Sequence, residues 1–463
     1  MQLRSSVTPL AFTVALTLSA AHSAQAQSIA DRYRADANRI IDAALADSTA
    51  WNRVAEMTET YGNRFSGTPA LEKAIDWVIA KMKEDGLQNV RGEPVMVPRW
   101  VRGAESAQLI LPREQNLPML GLGGSIATPP GGITADVIVV GSFSDLTAKA
   151  AQARGKIVLY DVPFTSYGET VAYRTRGAIE ASKVGAVAAL VRSVTPYSQR
   201  TPHTGNMQYD STVRRVPAAA ITVEDAEMIH RMLDRGQRVR VKLMMSAKTL
   251  PDAPSRNVMG ELVGSEKPDE VVVFGGHIDS WDVGRGAMDD AGGVVVAWEA
   301  VKLLKRLGLK PKRTIRVVGW TNEENGSKGG QGYRDAHRAE VEKHVLAIES
   351  DGGVFKPQGF GFTGSDAAYE IVKEIGTLLN RIESGNISRG GGGADIGPIM
   401  QLGVPGMGLL VDGTRYFWYH HTEADTIDKL DAREMALCVA TMAVMAYVVA
   451  DMPETLPRAT PTR

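Results

Sequence analysis

The sequence predicts an α/β fold, a mixed and mostly parallel sheet flanked by helices, interrupted by an inserted β-rich α+β domain. Three observations predict it. Beyond Asn257, short strand-like runs alternate with helix-like segments, the pattern of a parallel sheet. Those runs are apolar throughout rather than alternating, as expected of strands covered on both faces. An earlier block of short strands, 135–245, is bounded by the Gly/Pro-rich stretch 121–132 and by Pro251-Asp252-Ala253-Pro254, so it reads as a separate insert.

Taken in order, Arg4, the apolar run 10–21 and Ala24-Gln25-Ala26 form a signal peptide over residues 1–26, with cleavage before Gln27. This places the protein outside the cytoplasm, periplasmic or secreted. From Ile29 to about Leu87 the pattern is helical: Trp51, Val54 and Met57 recur at helix spacing, as do Leu71, Ile75, Val78, Ile79 and Met82, and Gly86 closes the last helix. The polar loop 61–69 between them has no evident purpose in the sequence alone. In the insert the strands are 137–140, 156–160, 186–192, 218–222 and 239–244, with one helix at 175–183. This block has no His-acid cluster and is not expected to carry chemistry. The later strands are 271–275, 314–320, 345–348 and 406–410. The Ala/Val-rich run 436–450 follows Asp431, a candidate N-cap with Glu434 three residues on, and reads as a buried core helix containing an inert Cys438. The expected division is a catalytic domain from 27–130 and 250–455, an insert at 131–249, and a loose tail at 456–463.

Composition excludes several classes. With 52 Lys+Arg against 53 Asp+Glu over 463 residues, there is no basic surplus for a nucleic-acid partner. Both apolar runs, 10–21 and 436–450, fall short of the roughly 20 residues that a membrane span needs. A single cysteine forbids an intrachain disulfide and removes cysteine-held zinc. Any metal is therefore held by His and carboxylates.

The chemistry gathers where strands end. The first late strand runs into Gly276-His277-Ile278-Asp279-Ser280. Then come Gly286-Ala287-Met288-Asp289-Asp290-Ala291-Gly292-Gly293, Thr321-Asn322-Glu323-Glu324-Asn325-Gly326, Glu349-Ser350-Asp351-Gly352-Gly353 and Tyr419-His420-His421-Thr422-Glu423-Ala424-Asp425-Thr426. In open α/β sheets ligands sit at the carboxyl ends of strands. Singly, a His after a strand reads as a hydrogen-bonded structural residue, Asp-Asp as a turn and Glu-Glu as a solvated pair. Together, two His and three carboxylates at one edge supply the N/O donors suited to zinc, and a two-metal hydrolytic centre accounts for so many acids.

These motifs, in this order and over nearly the whole chain after the signal peptide, resemble the M28 zinc metallopeptidases, and within them the carboxypeptidase Q-like (plasma glutamate carboxypeptidase-like) branch, whose protease-associated (PA) domain insertion the block from Ala135 resembles. The resemblance implies two Zn2+ per chain: His277 and Asp351 hold one, Glu324 and His421 the other, and Asp289 bridges them. It also implies that Asp279 orients the His277 ring through its other nitrogen, that Glu323 is the general acid/base, and that the Asp289-Asp290 peptide can be cis. The loop 390–396, with Gly392, Gly393 and Asp395, aligns with a substrate loop whose glycines let backbone approach the peptide. His420 is a structural or substrate-side residue, Asp290 a second carboxylate near the metals or a turn residue, and the aromatic run 416–419, ending in Tyr419, a candidate wall of a specificity pocket. The activity implied is that of an exported exopeptidase, an aminopeptidase or dipeptidase, acting on short peptides with a free N-terminus, and a homodimer is implied by the same resemblance. The competing readings are another metal-dependent hydrolase such as a phosphatase or amidase, a single-zinc glutaminyl-cyclase-like enzyme, and a non-catalytic binding ectodomain.

Overall fold

A computed structural model describes residues 27–459. The expected signal peptide, 1–26, lies outside the described residues, as does the end of the tail, 460–463. Two eight-stranded sheets organise the chain.

The first sheet runs, edge to edge, Gln88–Val101, Lys248–Leu262, Arg313–Trp320, Lys267–His277, His344–Glu349, Gly406–Val411, Pro357–Thr363 and Asn386–Arg389. Its centre is parallel: Lys267–His277 pairs in parallel with both Arg313–Trp320 and His344–Glu349, and the latter with Gly406–Val411. The long strands Gln88–Val101 and Lys248–Leu262, far apart in sequence, pair antiparallel with each other, and the latter with Arg313–Trp320, so the sheet is mixed. Apolar side chains on both faces explain why the strand sequences do not alternate. Val272 and Phe274 enter the larger core cluster, whereas Val271 and Val273 point the other way into a second cluster with Trp320, Tyr333 and Ile399.

The larger core is roofed by helices Ile29–Leu45, Thr49–Tyr61, Pro69–Glu84, Gly292–Arg306 and Ala432–Asp451. The helical region expected over 29–87 thus resolves into three helices, and Gly86 follows the last one in a left-handed conformation, φ 74°. Ala432–Asp451 begins with the expected cap: the Asp431 carboxylate accepts from the backbone N–H groups of Arg433 at 2.8 Å and Glu434 at 2.9 Å. Although apolar enough to cross a membrane, this helix is buried in the core, with Cys438 inside it.

The second sheet has the order Gln115–Leu117, Glu105–Leu111, Arg240–Met245, Ile133–Val140, Ile157–Tyr160, Ala188–Arg192, Ala218–Ile221 and Met119–Gly121. Three of its strands lie ahead of residue 131, so the sheet reaches further back along the chain than the expected insert. Strands Ile133–Val140, Ile157–Tyr160, Ala188–Arg192 and Ala218–Ile221 run parallel, with helix Tyr167–Lys183 between the second and third and helix Val223–Asp234 after the fourth. The expected helix at 175–183 begins eight residues earlier, at Tyr167, after Ser166, whose hydroxyl caps it by accepting from Glu169 N–H. The start of the expected loose tail is in fact tied down: Leu456 is buried, Pro457 O accepts from the Ser365 hydroxyl, and Arg458 donates to the carbonyls of Val341 and His344.

An exposed N-cap with two donors to satisfy sets a modest cost on its loss. Asp431→Ala should lower stability by about 1 kcal/mol, read as a small fall in Tm, without displacing the buried face of the helix.

Candidate metal centre

The site is built on the carboxyl ends of the parallel strands, and the backbone there is braced before any metal is considered. Arg64, fully buried, donates to the carbonyls of Ile278 at 2.8 Å, Arg285 at 2.7 Å and Gly286 at 2.8 Å. The loop 61–69, unexplained in the sequence, therefore supplies the guanidinium that ties strand Lys267–His277 to the turn carrying Asp289. Asp425 braces the same turn from the other side: its carboxylate accepts from Ala287, Met288 and Asp289 N–H at 3.1, 2.7 and 3.1 Å. The Asp289-Asp290 peptide is cis. The Asp290 carboxylate accepts from His277 N–H at 3.0 Å and Gly293 N–H at 2.9 Å, holding strand end and helix start together.

On this frame five predicted side chains converge. Asp289 Oδ1 is 3.1 Å from His277 Nε2, and Asp289 Oδ2 is 3.4 Å from His421 Nε2. His277 Nε2 also lies 3.3 Å from Asp351 Oδ1, and His421 Nε2 lies 3.0 Å from Glu324 Oε2. One carboxylate thus presents a separate oxygen to each of two imidazoles, each of which has a further carboxylate beside it. Donor atoms of His277, Asp289 and Glu324, of His277, Asp290 and Asp351, and of Asp289, His420 and His421 lie within 4.8 Å of one another in each set. Asp289 Oδ2 and Glu324 Oε1 are buried without a hydrogen-bond partner. Buried carboxylate oxygens left unpaired cost free energy, and an N/O donor set without cysteine suits zinc. The residues fit a metal.

The electrostatics say the same. Burial, reinforced by the neighbouring acids, pushes the Glu323 carboxyl up to about 8 and lifts Glu324 well above its usual range. Burial also raises Asp351, and it raises Glu349 and Asp425 to about 7. Asp289 is the exception: against burial, the hydrogen bond from His277 and the nearby His421 imidazole hold its carboxyl well below the ordinary value. The converse holds at His277, where burial works against the charge but the bonds to Asp289 and Asp351 raise it well above the usual value. His420 and His421 are lowered, by burial first.

The remaining predicted residues fall in several places. Glu323 lines the same cleft as Asp289, Glu324 and Asp351. Asp279 does not meet the His277 ring through its carboxylate. The ring Nδ1 is 3.0 Å from the Asp279 carbonyl oxygen and 3.7 Å from its carboxylate. That carboxylate instead accepts from the backbone N–H groups of Glu323 at 3.0 Å and Glu324 at 3.3 Å, so it positions the Glu-Glu pair. His420 lines the cleft, stacked on His421 with ring centroids 3.5 Å apart. Tyr419 packs against the main core, and it is Tyr416 and Phe417 that line the cleft, because a single helical turn, Tyr416–Tyr419, sends successive rings in different directions. Asp395 is buried with both oxygens unpartnered, behind Glu349, whose Oε2 accepts from Asp395 and Ile396 N–H. Gly393 sits against that Glu349 carboxyl, where a Cβ would come within 2.0 Å, and Gly392 lines a separate open pocket with Gly391, Gly397 and Met400.

Sequence reasoning placed no functional residue in the insert, yet Tyr167, Arg174 and Asn206 line the cleft. The same block grips the segment that carries His421: Thr204 N–H donates to His421 O at 3.0 Å, His421 Nδ1 lies 3.3 Å from Thr204 O, and His203 Nδ1 lies 2.7 Å from His420 O. No motif signals these contacts, since they join residues more than 200 positions apart.

Residues 257–446 match peptidase family M28. The chain is 49% identical over 429 residues to carboxypeptidase Q of Xenopus laevis, covering 92% of each. Among solved structures it resembles a peptidase M28 precursor from Shewanella amazonensis, with a TM-score of 0.90 at 36% identity, covering 93% of this chain and 100% of that one. A zinc aminopeptidase from Bacillus subtilis shares the fold at 20% identity, with a TM-score of 0.66 over 87% of this chain and 94% of that one.

The raised carboxyls set the pH response of metal-stripped protein. Glu323 at about 8, and Glu349 and Asp425 at about 7, keep protons that the unfolded chain releases near the ordinary 4.5 or 3.8. A native state that binds more protons loses stability as pH rises. The depressed imidazoles oppose this only below their ordinary 6.5. Thermal unfolding in chelator should therefore show Tm falling from pH 6.5 to about 8, and zinc should abolish the fall; a Tm rising over that window would contradict the assignment.

Proposed function

The chain belongs to peptidase family M28, and from that premise we propose that it is an exported two-zinc exopeptidase that hydrolyses short peptides with a free N-terminus. The observation that carries the reading is Asp289, buried, with one oxygen toward His277 and the other toward His421. His277 and Asp351 would hold one zinc, Glu324 and His421 the other, with Asp289 shared between them. The chain's kinship with the frog carboxypeptidase Q supports an exopeptidase rather than another hydrolase.

Bound there, a zinc pair supplies Lewis acidity toward the scissile carbonyl and makes water a competent nucleophile near neutral pH. Glu323 takes a proton from the water as its oxygen bonds to the carbonyl carbon. It returns a proton to the peptide nitrogen as the C–N bond breaks, leaving a carboxylic acid and an amine. Two features of the chain prepare Glu323 for this. Its backbone N–H is held by Asp279 at 3.0 Å, and its carboxyl lines the cleft beside Asp289, Glu324 and Asp351. The Asp279 carboxylate thus acts on the catalytic pair by positioning it. The signal peptide over 1–26 supports export.

Two measurements test this. Glu323→Gln should retain zinc while lowering kcat by about 10²- to 10⁴-fold on a dipeptide; wild-type turnover in that variant would remove Glu323 from its role. Metal analysis of purified protein should find two zinc per chain, and chelation should abolish hydrolysis reversibly. One zinc per chain would favour a cyclotransferase-like site, and turnover of nitrophenyl phosphate in place of peptides would favour a phosphatase.

A further inference from the structure

His421 is held from outside the sheet that carries the other donors. Its backbone has φ +61°, in the left-handed region that is uncommon for residues other than Gly and persists only when the surroundings fix it. What fixes it is the segment His203-Thr204, which lies between strands Ala188–Arg192 and Ala218–Ile221 of the second sheet. Thr204 N–H donates to His421 O at 3.0 Å, and the His203 ring donates from Nδ1 to His420 O at 2.7 Å. Thr204 O in turn faces His421 Nδ1 at 3.3 Å. A carbonyl only accepts, so in the neutral His421 ring Nδ1 carries the proton and Nε2 is the lone-pair nitrogen that faces Glu324 and Asp289.

The segment is itself anchored to its own unit. His203 and Thr204 are buried, His203 N–H donates to Ser193 Oγ at 2.9 Å, and Thr204 Oγ1 donates to Gly121 O at 2.8 Å. Gly123 N–H donates to Gly205 O at 2.9 Å and Gly123 O accepts from Met207 N–H at 3.0 Å. His277 is set differently. Its Nδ1 lies 3.0 Å from Asp279 O, its N–H donates to Asp290, and its Nε2 faces Asp289 and Asp351. All of these belong to the first sheet and its loops. The position at His277 and Asp351 is thus complete within one unit, whereas the position at Glu324 and His421 needs the second unit seated. A ligand that requires a seated conformation binds more weakly by the fraction of time the seat is lost.

We propose that His203 is a positioning residue for the Glu324–His421 metal position, and that zinc there and the seating of the second unit are coupled, so the two zinc ions bind unequally, the first at His277 and Asp351. This rests on the two-zinc reading above and adds an order of loading to it. Coupling of this kind is reciprocal. Metal at His421 holds the second unit in place as much as that unit holds the ring.

The test titrates metal-free protein with zinc against a chromophoric chelator. The wild type should take up two zinc per chain in two resolved steps. H203L should leave the tighter step unchanged and weaken the other by roughly 10- to 100-fold, the range seen when a group that orients a metal-bound His is lost. H203N, whose amide nitrogen can donate where Nδ1 did, should recover most of that loss. Adding H203L to E324Q should change zinc binding no further, whereas adding it to D351N should leave no tight step. Hydrogen exchange on the wild type needs no variant and carries the test if H203L does not fold: the Thr204 amide should gain protection with the second equivalent of zinc and not with the first. Two zinc bound in one unresolved step, a folded H203L that weakens both steps equally or neither, or full protection of Thr204 at the first equivalent overturns the assignment and leaves the peptidase reading standing. A wild type that binds a single zinc overturns both the assignment and the two-zinc reading.

Discussion

A buried carboxylate facing two buried imidazoles is the constraint around which this molecule is arranged. Asp289 sits between His277 and His421, and every element that approaches it is tethered at a backbone group rather than left to side-chain packing. Asp425 takes three consecutive N–H groups of the turn, Asp290 takes the N–H of the strand end, Arg64 takes three carbonyls around it, and Asp279 takes the N–H groups of Glu323 and Glu324. Ions in a low-dielectric interior gain from attraction only when their geometry is close to ideal. A cluster this acidic would otherwise repel itself open. The charged groups that brace the site are therefore as much a part of it as the five that point inward.

The two sheets divide the work. The mixed sheet, covered on both faces by apolar side chains, gives a rigid edge from which the donors project. The second sheet supplies the far wall, and its loop at His203 and Thr204 grips the backbone of His420 and His421. Its aromatic residues continue that contact: Tyr167 stacks on Phe417 at 4.9 Å, and Tyr197 lies against Trp418 at 4.9 Å. The segment carrying His421 is thus clamped between the two units, which couples the shape of the cleft to the seating of the second unit.

Much of the fold was legible. The parallel strands near 271, 314, 345 and 406 are short, largely apolar segments without polar alternation, as burial on both faces requires. The helix over 432–451 announced itself by its Asp431 cap. Less legible were the limits of the second unit, because strands of three residues such as Gln115–Leu117 and Met119–Gly121 carry too little pattern to separate from loop. Within the site, the gathering of His and carboxylates could be read from motifs at strand ends, and the choice of His277, Asp289, Glu324, Asp351 and His421 among them came from the resemblance to the M28 peptidases. The role of Asp279 could not, because its carbonyl and its carboxylate stand equally close in sequence and only the chain path decides which one meets the imidazole.

By itself the sequence pointed to the class of protein through local periodicity, and to its family and a candidate set of metal donors through the resemblance of short strand-end motifs to the M28 peptidases. Only the tertiary structure decided what surrounds those donors. Arg64 from an early polar loop, Asp425 from a late one and Arg174 from a unit with no catalytic motif reach the site across spacings that leave no local signature. Their positions follow from how two sheets pack, and packing is a property of the whole chain rather than of any window within it.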